Sequence, residues 1–159
     1  MKKGLRYVIA ALLLAGLLAI VRNYYHNPEL PLSKTRLTTL DGRAWDPQKS
    51  KGKYLLISCV QSWCRDCIRE VPSLAALQAF AGKNRLEVLL VSDEDPQKIR
   101  QFADRIKADL PIYQSAEKFS DLGIRVFPVT WLLDPEGKVL LTKLEGYDWN
   151  SAEVQALIP

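Results

Sequence analysis

Two of the chain's three cysteines, Cys64 and Cys67, stand three positions apart in the stretch Ser-Trp-Cys-Arg-Asp-Cys-Ile-Arg-Glu-Val-Pro, residues 62–72. Such a pair has three chemical uses: a reversible redox couple, half of a metal site, or a structural bridge. A protein zinc site takes four ligands. The other soft donors are Cys59, in a predicted strand, and His26, beside an apolar N-terminal segment. A bridge across two intervening residues closes almost no loop and adds little stability. A cysteine peroxidase needs proline and threonine or serine at set distances before its cysteine, and Gln61 and Ile57 hold those positions before Cys64. The redox couple is the leading reading. A copper-handling site built on the pair is the alternative from another class.

The chemistry of a redox pair depends on where each sulfur sits. Cys64 follows an apolar run and opens a helical pattern. Free N–H groups and the macrodipole at a helix N-terminus favour an anion. A thiolate is such an anion, and it is the species that attacks disulfides. Cys67 lies one turn further in, close enough to close a bond back onto Cys64. Glu70 lies one turn beyond Cys67 on roughly the same helical face. It is either an acid–base partner for Cys67 or a solvated helix carboxylate. Cys59 reads as a small core residue of a buried strand.

The elements that must position these residues follow from pattern. Residues 35–40 have strand character and end at the turn signal Asp41-Gly42. Residues 53–60 and 86–92 are mostly apolar runs and read as buried strands. Residues 67–82 carry apolar positions at helical spacing and stop at Gly82. Asp95 and Pro96 suit a helix start, and Ile99, Phe102 and Ile106 keep the 3.6-residue period. A short strand is predicted at 110–113 and a helical turn near 116–122. Residues 129–134 and 138–144 read as a hairpin around Pro135-Glu136-Gly137, and 151–158 as a short final helix capped by Asn150 or Ser151. Trp45, Trp131 and Trp149 read as packing residues. Strands alternating with helices and closing on a hairpin imply an α/β fold with one antiparallel edge.

On these residues the chain resembles the thioredoxin fold, and within it the membrane-anchored TlpA/ResA/CcmG-like thiol–disulfide oxidoreductases. Trp63-Cys64-Arg65-Asp66-Cys67 matches their W-C-x-x-C site. Pro72 matches the proline of the active-site helix, and Glu70 the acid three residues after the second cysteine. Val126-Phe127-Pro128-Val129-Thr130 and the following hairpin match the cis-proline segment, with 94–122 as the insertion of this branch. The resemblance implies a thioredoxin-like α/β domain with a central mixed sheet flanked by helices over 35–159. It implies Cys64, Cys67 and Glu70 as catalytic residues, a redox-active Cys64–Cys67 disulfide, and Trp63, Phe127 and Pro128 as the substrate-binding surface. It implies no bound cofactor. The substrates would be proteins with disulfides or thiols, apocytochrome c among them, and the pair would be re-reduced by a membrane donor of the DsbD/CcdA type. An oxidant or isomerase is the alternative within the fold. The chain departs from the pattern in three places: Arg-Asp stands between the cysteines where many relatives have a proline, Ser58 stands where thioredoxin has a buried acid, and the final helix is short.

The remaining signal is N-terminal. The formal net charge is +4, yet from Asn23 onward there are 18 basic and 18 acidic residues. The excess belongs to Lys2, Lys3, Arg6 and Arg22, so no basic face for nucleic acid is expected. Tyr7 to Val21 is uncharged and almost wholly apolar. At 1.5 Å per residue it covers ~22 Å, short for a ~30 Å hydrocarbon core unless Arg22, Tyr24 and Tyr25 extend it. No small-x-small pair around residues 15–21 suits signal cleavage. The expectation is an uncleaved transmembrane helix over 1–22 and a linker over 23–34, with the rest of the chain on the extracytoplasmic side, following the basic bias before the segment.

Overall fold

A computed structural model describes residues 2–24, 30, 32–107 and 109–159. Its centre is a pair of strands that are apolar on both faces. β2 (Tyr54–Cys59) and β3 (Leu86–Ser92) run parallel, with Cys59 level with Val91. Strands covered on both sides lose the usual alternation of apolar and polar residues, which is why the two runs stood out in the sequence. The other strands are β1 (Leu37–Thr39), β4 (Ile112–Ser115), β5 (Val129–Leu133) and β6 (Val139–Leu144). They complete a six-stranded sheet in the order β1-β4-β3-β2-β5-β6. β4 is parallel to β3, while β1, β5 and β6 are antiparallel to their neighbours. This is a mixed sheet, as expected.

One sheet face carries the helices. α2 (Arg65–Ala81) buries Cys67, Glu70, Val71, Leu74, Leu77, Gln78 and Ala81, a stripe at three- and four-residue spacing. Gly82 ends it with φ 82°, a conformation that costs glycine least. α3 (Pro96–Ile106) starts with Asp95 accepting a hydrogen bond from the Lys98 N–H, and Pro96 fills the first turn. α4 covers only Ala152–Gln155, shorter than predicted, with Ser151 at its N-cap. These helices pack over Leu56, Val88, Leu90 and Leu132, together with the fully buried Trp149.

Among the described residues, no α-helix covers the opposite face. Leu55, Ile57, Cys59, Leu89, Val91 and Trp131 point that way and are covered by Phe119 and Ile124 of the turns after β4. The helical turn predicted near 116–122 is a set of hydrogen-bonded turns instead. Trp45, Leu30 and Leu32 also pack on this face. Packing therefore starts before residue 35, inside the segment expected to be a linker; residues 25–29 and 31, His26 among them, lie outside the described residues.

α1 (Lys2–Tyr24) is the helix expected at the N-terminus. Its apolar side chains, among them Leu12, Leu13, Leu17 and Ile20, are exposed. Among the described residues, no helix is long and apolar enough to cross a membrane.

The packing makes a simple prediction. Leu74 is fully buried between α2 and the sheet, while Phe80 on the same helix is 57% exposed. Leu74→Ala should cost about 2–5 kcal/mol. Phe80→Ala should change stability by no more than about 0.5 kcal/mol. Chemical denaturation followed by near-UV circular dichroism measures both.

Candidate functional site

β2 delivers the chain to the site. After Cys59 the strand ends, and a turn closed by the Cys64 N–H donating to the Gln61 carbonyl (3.0 Å) leads into α2. Cys64 is the N-cap of that helix. Its sulfur accepts the backbone N–H of Cys67 at 3.1 Å, the bond that a capping oxygen makes in other helices. Cys64 and Cys67 are disulfide-bonded, with Cα atoms 5.3 Å apart. Cys64 is 5% exposed and Cys67 is fully buried. The attacking sulfur was expected at an exposed helix start. In the disulfide form it is nearly covered, and the exposed rim is Trp63, Arg65 and Asp66. Asp66 pairs with Arg69 at 3.2 Å on the surface.

Glu70 is not a solvated carboxylate. It is 3% exposed, on the buried face of α2 one turn beyond Cys67. Thr130 Oγ1 lies 2.7 Å from Glu70 Oε1 and 2.8 Å from Ser58 Oγ, and the Tyr147 N–H donates to Oε2 at 3.3 Å. Ser58 and Thr130 are register partners of β2 and β5, so both point to the helix side of the sheet. Burial pushes the Glu70 pKa up from 4.5 to about 7, against the opposing pull of Thr130, the Tyr147 N–H, Trp149 and Ser58. The buried Trp149 indole N–H contributes that pull without reaching hydrogen-bond geometry to any acceptor.

A threonine hydroxyl has one proton. With Glu70 ionised, Thr130 donates to the carboxylate and accepts from Ser58. With Glu70 protonated, the carboxyl donates to Thr130, which turns its own proton to Ser58. The chain Ser58–Thr130–Glu70 can therefore reverse, and both forms of Glu70 are accommodated. Glu70 is also among the residues lining a cleft of about 470 Å³ between α2 and the loop 146–148.

The second wall is the start of β5. The Phe127–Pro128 peptide is cis, and Val129 pairs with Cys59. Pro128 has no N–H to donate. The Phe127 ring stands edge-on to Trp63 at 5.9 Å and lies 5.6 Å from the Phe119 ring. The structure thus gathers Trp63, Cys64, Cys67, Glu70, Phe127 and Pro128 at one end of the sheet. Cys59 is elsewhere: it is buried on the face opposite α2, and burial, then the charge of Asp93, hold its thiol well above the ordinary range. Among the described residues, no group of three or more His, Cys, Asp or Glu could hold a metal ion.

Sequence reasoning missed two parts of the site. Thr130 was read only as a strand residue. Its signal was register, since residues at matching depth in neighbouring strands share a face. The acids Asp93 and Glu94 were also passed over. Asp93 binds Gln61 Nε2 at 2.6 Å, and Glu94 binds the Ser62 N–H at 2.5 Å, directly before Trp63. Two acids at the end of a buried parallel strand, level with polar residues at the end of the next, was the available signal.

Comparison with known proteins agrees with this geometry. The model of the AhpC/TSA family matches residues 29–142. The thiol-disulfide oxidoreductase ResA of Geobacillus thermodenitrificans is 29% identical over 144 residues, covering 85% of this chain and 83% of its own. The thioredoxin domain of a thiol-disulfide oxidoreductase from Bacteroides vulgatus superposes with a TM-score of 0.67 at 22% identity, over 78% of this chain and 92% of that one. StoA from Bacillus subtilis superposes with a TM-score of 0.58 at 19% identity, over 76% and 92%. The two solved structures share the thioredoxin-like fold.

Burial of Glu70 gives the folded protein a pH dependence. The folded carboxyl holds its proton to about pH 7, whereas the unfolded one loses it near 4.5. Between those values the native state binds more protons, so stability falls as pH rises, by about 3 kcal/mol over the window. Glu70→Gln should remove that slope and leave the disulfide form more stable than the parent at pH 8. Urea unfolding at pH 5, 6, 7 and 8 reads it. A parent protein equally stable at all four values would mean that the carboxyl is ordinary.

Proposed function

The chain belongs to the AhpC/TSA family, and on that premise we propose that it is an extracytoplasmic thiol–disulfide oxidoreductase that reduces protein disulfides. The observation that carries the reading is the Cys64 sulfur at the N-cap of α2, accepting the Cys67 N–H. That N–H and the helix dipole stabilise a thiolate on Cys64.

The chemistry balances without a cofactor. The Cys64 thiolate attacks one sulfur of a substrate disulfide. A mixed disulfide forms, and the other substrate sulfur leaves as a thiolate. Cys67 gives its proton to Glu70 and attacks Cys64. The second substrate sulfur then leaves, and the Cys64–Cys67 disulfide forms. The substrate gains two electrons, and the protein must recover two from a donor. Trp63, Phe127 and Pro128 would receive the substrate chain, since a backbone segment beside a proline is free to pair with an added strand.

Arg65 between the cysteines favours a thiolate and Asp66 opposes it, so charge alone sets no direction. We take reduction as the direction on the likeness to the ResA-type branch. A pair whose reduced form is stabilised would be an oxidant instead, and a high measured reduction potential would favour that oxidant or isomerase alternative. We take apocytochrome c as one substrate and a membrane protein of the DsbD/CcdA type as the electron donor.

The N-terminal segment supports a membrane setting. α1 is apolar on all sides, not along one stripe, and its exposed leucines have no partner in the domain. A helix of this kind belongs in lipid. We assign 1–22 as a single-pass anchor, 23–34 as the connection, whose Leu30 and Leu32 already pack on the sheet, and 35–159 as the extracytoplasmic domain. Sheet register favours a donor in the membrane. Leu37 pairs with Ser115, beyond the level of Thr39, Tyr113, Val91 and Cys59. The chain therefore enters the domain at the end of the sheet that carries the cysteines.

Two experiments test the proposal. Cys67→Ala removes the resolving thiol, so it should accumulate mixed disulfides with partners in the membrane fraction on non-reducing gels. Cys64→Ala should accumulate few or none, and equal trapping by both would overturn the division of labour. Alkaline phosphatase fused after Pro159 should be active. A stable but inactive fusion would sink the topology.

A further inference from the structure

We propose that Asp93 and Glu94, just past the end of β3, are positioning residues for the exchange reaction. They hold the attacking turn and the cis-proline wall in one register. The inference rests on the oxidoreductase reading above.

The parallel pairing of β2 and β3 sets the arrangement. Cys59 is level with Val91, and the Val60 N–H donates to the Val91 carbonyl at 2.8 Å. The residues that follow each strand are therefore neighbours: Gln61 and Ser62 on one side, Asp93 and Glu94 on the other. Glu94, 9% exposed, accepts the Ser62 N–H at 2.5 Å and the Ser62 hydroxyl at 2.9 Å. Arg105 of α3 donates to the Ser62 carbonyl at 2.8 Å. Every polar atom of Ser62 is thus held from the segment that follows β3. The next residue is Trp63, and the one after it is Cys64.

Asp93 does the same for two places at once. Its Oδ1 accepts from Gln61 Nε2 at 2.6 Å, and its Oδ2 accepts from the Phe119 N–H at 2.8 Å. Gln61 is 6% exposed, and its carbonyl closes the turn onto the Cys64 N–H. Phe119 is 2% exposed, and its ring lies against Phe127, the residue before the cis-proline. Phe127 in turn meets Trp63 edge-on. The contacts form a closed circuit: Asp93 to Gln61, along the turn to Trp63, across to Phe127, on to Phe119, and back to Asp93. A carboxylate fits this junction because it accepts at both oxygens and donates at neither.

Neutral isosteres can keep these contacts, and truncations cannot. Asp93 faces the Gln61 amide and the Phe119 N–H. In Asp93→Asn the new carbonyl accepts the Phe119 N–H while the Gln61 amide turns over and accepts from the new NH₂. Glu94 faces one N–H and one hydroxyl. Glu94→Gln can still accept the N–H while the Ser62 hydroxyl rotates to accept the new NH₂. Asp93→Ala removes both arms of the circuit at that junction.

The test uses the reduced full chain in detergent with two substrates. One is a disulfide-bonded peptide, which needs the Trp63–Phe127 surface. The other is the small aromatic disulfide dithiobis(nitrobenzoate), which needs only Cys64. Asp93→Ala should lower the peptide rate constant about tenfold or more, since small misplacements at a reacting centre carry penalties of this order. The loss should appear mainly as a raised KM, with the small-disulfide rate within about threefold of the parent. The isosteres Asp93→Asn and Glu94→Gln should restore both rates to within about threefold of the parent. These ratios follow from which arms of the circuit are lost. Gln61→Met removes one arm without touching Asp93, so it serves if Asp93→Ala does not fold, and it should lower the peptide rate in the same way. A folded Asp93→Ala or Gln61→Met variant with the parent's peptide-to-small-disulfide ratio would overturn the inference. An equal loss on both substrates would mean only a general loss of structure and would also overturn it. If the parent itself exchanges with neither substrate, the oxidoreductase reading fails instead.

Discussion

The antiparallel register of β2 against β5 is the constraint on which the site depends. It sets Cys59 opposite Val129 and Ser58 opposite Thr130. The first pairing brings the end of β5, with its cis-proline, beside the strand that leads to Cys64. The second puts two hydroxyls side by side under α2, where Glu70 can reach them. A slip of β5 by one residue would turn Thr130 to the other sheet face and leave Ser58 where it is. Glu70 would then lose its shortest hydrogen bond, the one to Thr130 at 2.7 Å, and a buried carboxyl that loses such a partner costs about 1–3 kcal/mol. Core burial guards against such a slip. Leu56 and Leu132 lie in the helix-side core, while Ile57 and Trp131 lie in the opposite one.

α2 makes the second link. It must bring a cysteine to its first turn and a carboxyl to its second while burying a continuous apolar stripe. Pro72 sits inside it and withholds the N–H that would bond the Ile68 carbonyl. Ser73 then works as a local junction: its hydroxyl lies 2.8 Å from the Glu70 carbonyl, and its oxygen accepts the Trp149 N–H at 3.2 Å. The C-terminal segment is thereby tied to the same turn of helix that carries Glu70. The burial of Trp149 is thus part of what keeps Glu70 away from water.

Much of this was legible in the sequence, and the limits have physical causes. The strands over 54–59 and 86–92 and the helix ending at Gly82 were readable because burial on both sheet faces and the 3.6-residue period leave strong patterns. The cysteine pair was readable from its spacing together with Pro72 and Pro128. The final helix was overestimated because Leu157 and Ile158 pack on the core through a tighter turn, their N–H groups bonding to the carbonyls of Val154 and Gln155 three residues back. The turn near 116–122 was expected to be helical; there Phe119 is buried and Leu122, three residues on, is half-buried, but the backbone between them forms separate hydrogen-bonded turns. The depth of Glu70 was not readable at all. Its position on α2 placed it one turn past Cys67, but only the pairing of two strands distant in sequence shows which partners lie beneath it.

The same limit applies to the acids after β3, and the contrast between the two glutamates says what a carboxylate is for at this site. Both are buried, Glu70 at 3% exposure and Glu94 at 9%. Glu94 takes one bond from a backbone N–H at 2.5 Å in a turn whose other polar atoms are also held. Its second bond comes from the hydroxyl of the same serine, at 2.9 Å. The shortest contact of Glu70 is to a hydroxyl that has a second hydroxyl behind it, so donor and acceptor can exchange roles along the chain. Its backbone donor, Tyr147, is further off at 3.3 Å. Glu94 makes its shortest bond to a backbone N–H, which can only donate and suits holding a backbone in place. Glu70 makes its shortest bond to a hydroxyl chain that can reverse, which suits taking up and releasing a proton. On the proposed reading, proton transfer next to Cys67 and rigidity before Cys64 are two separate demands of the exchange reaction. Residues of one type would serve both because the nearest hydrogen-bonding group at each carboxyl differs.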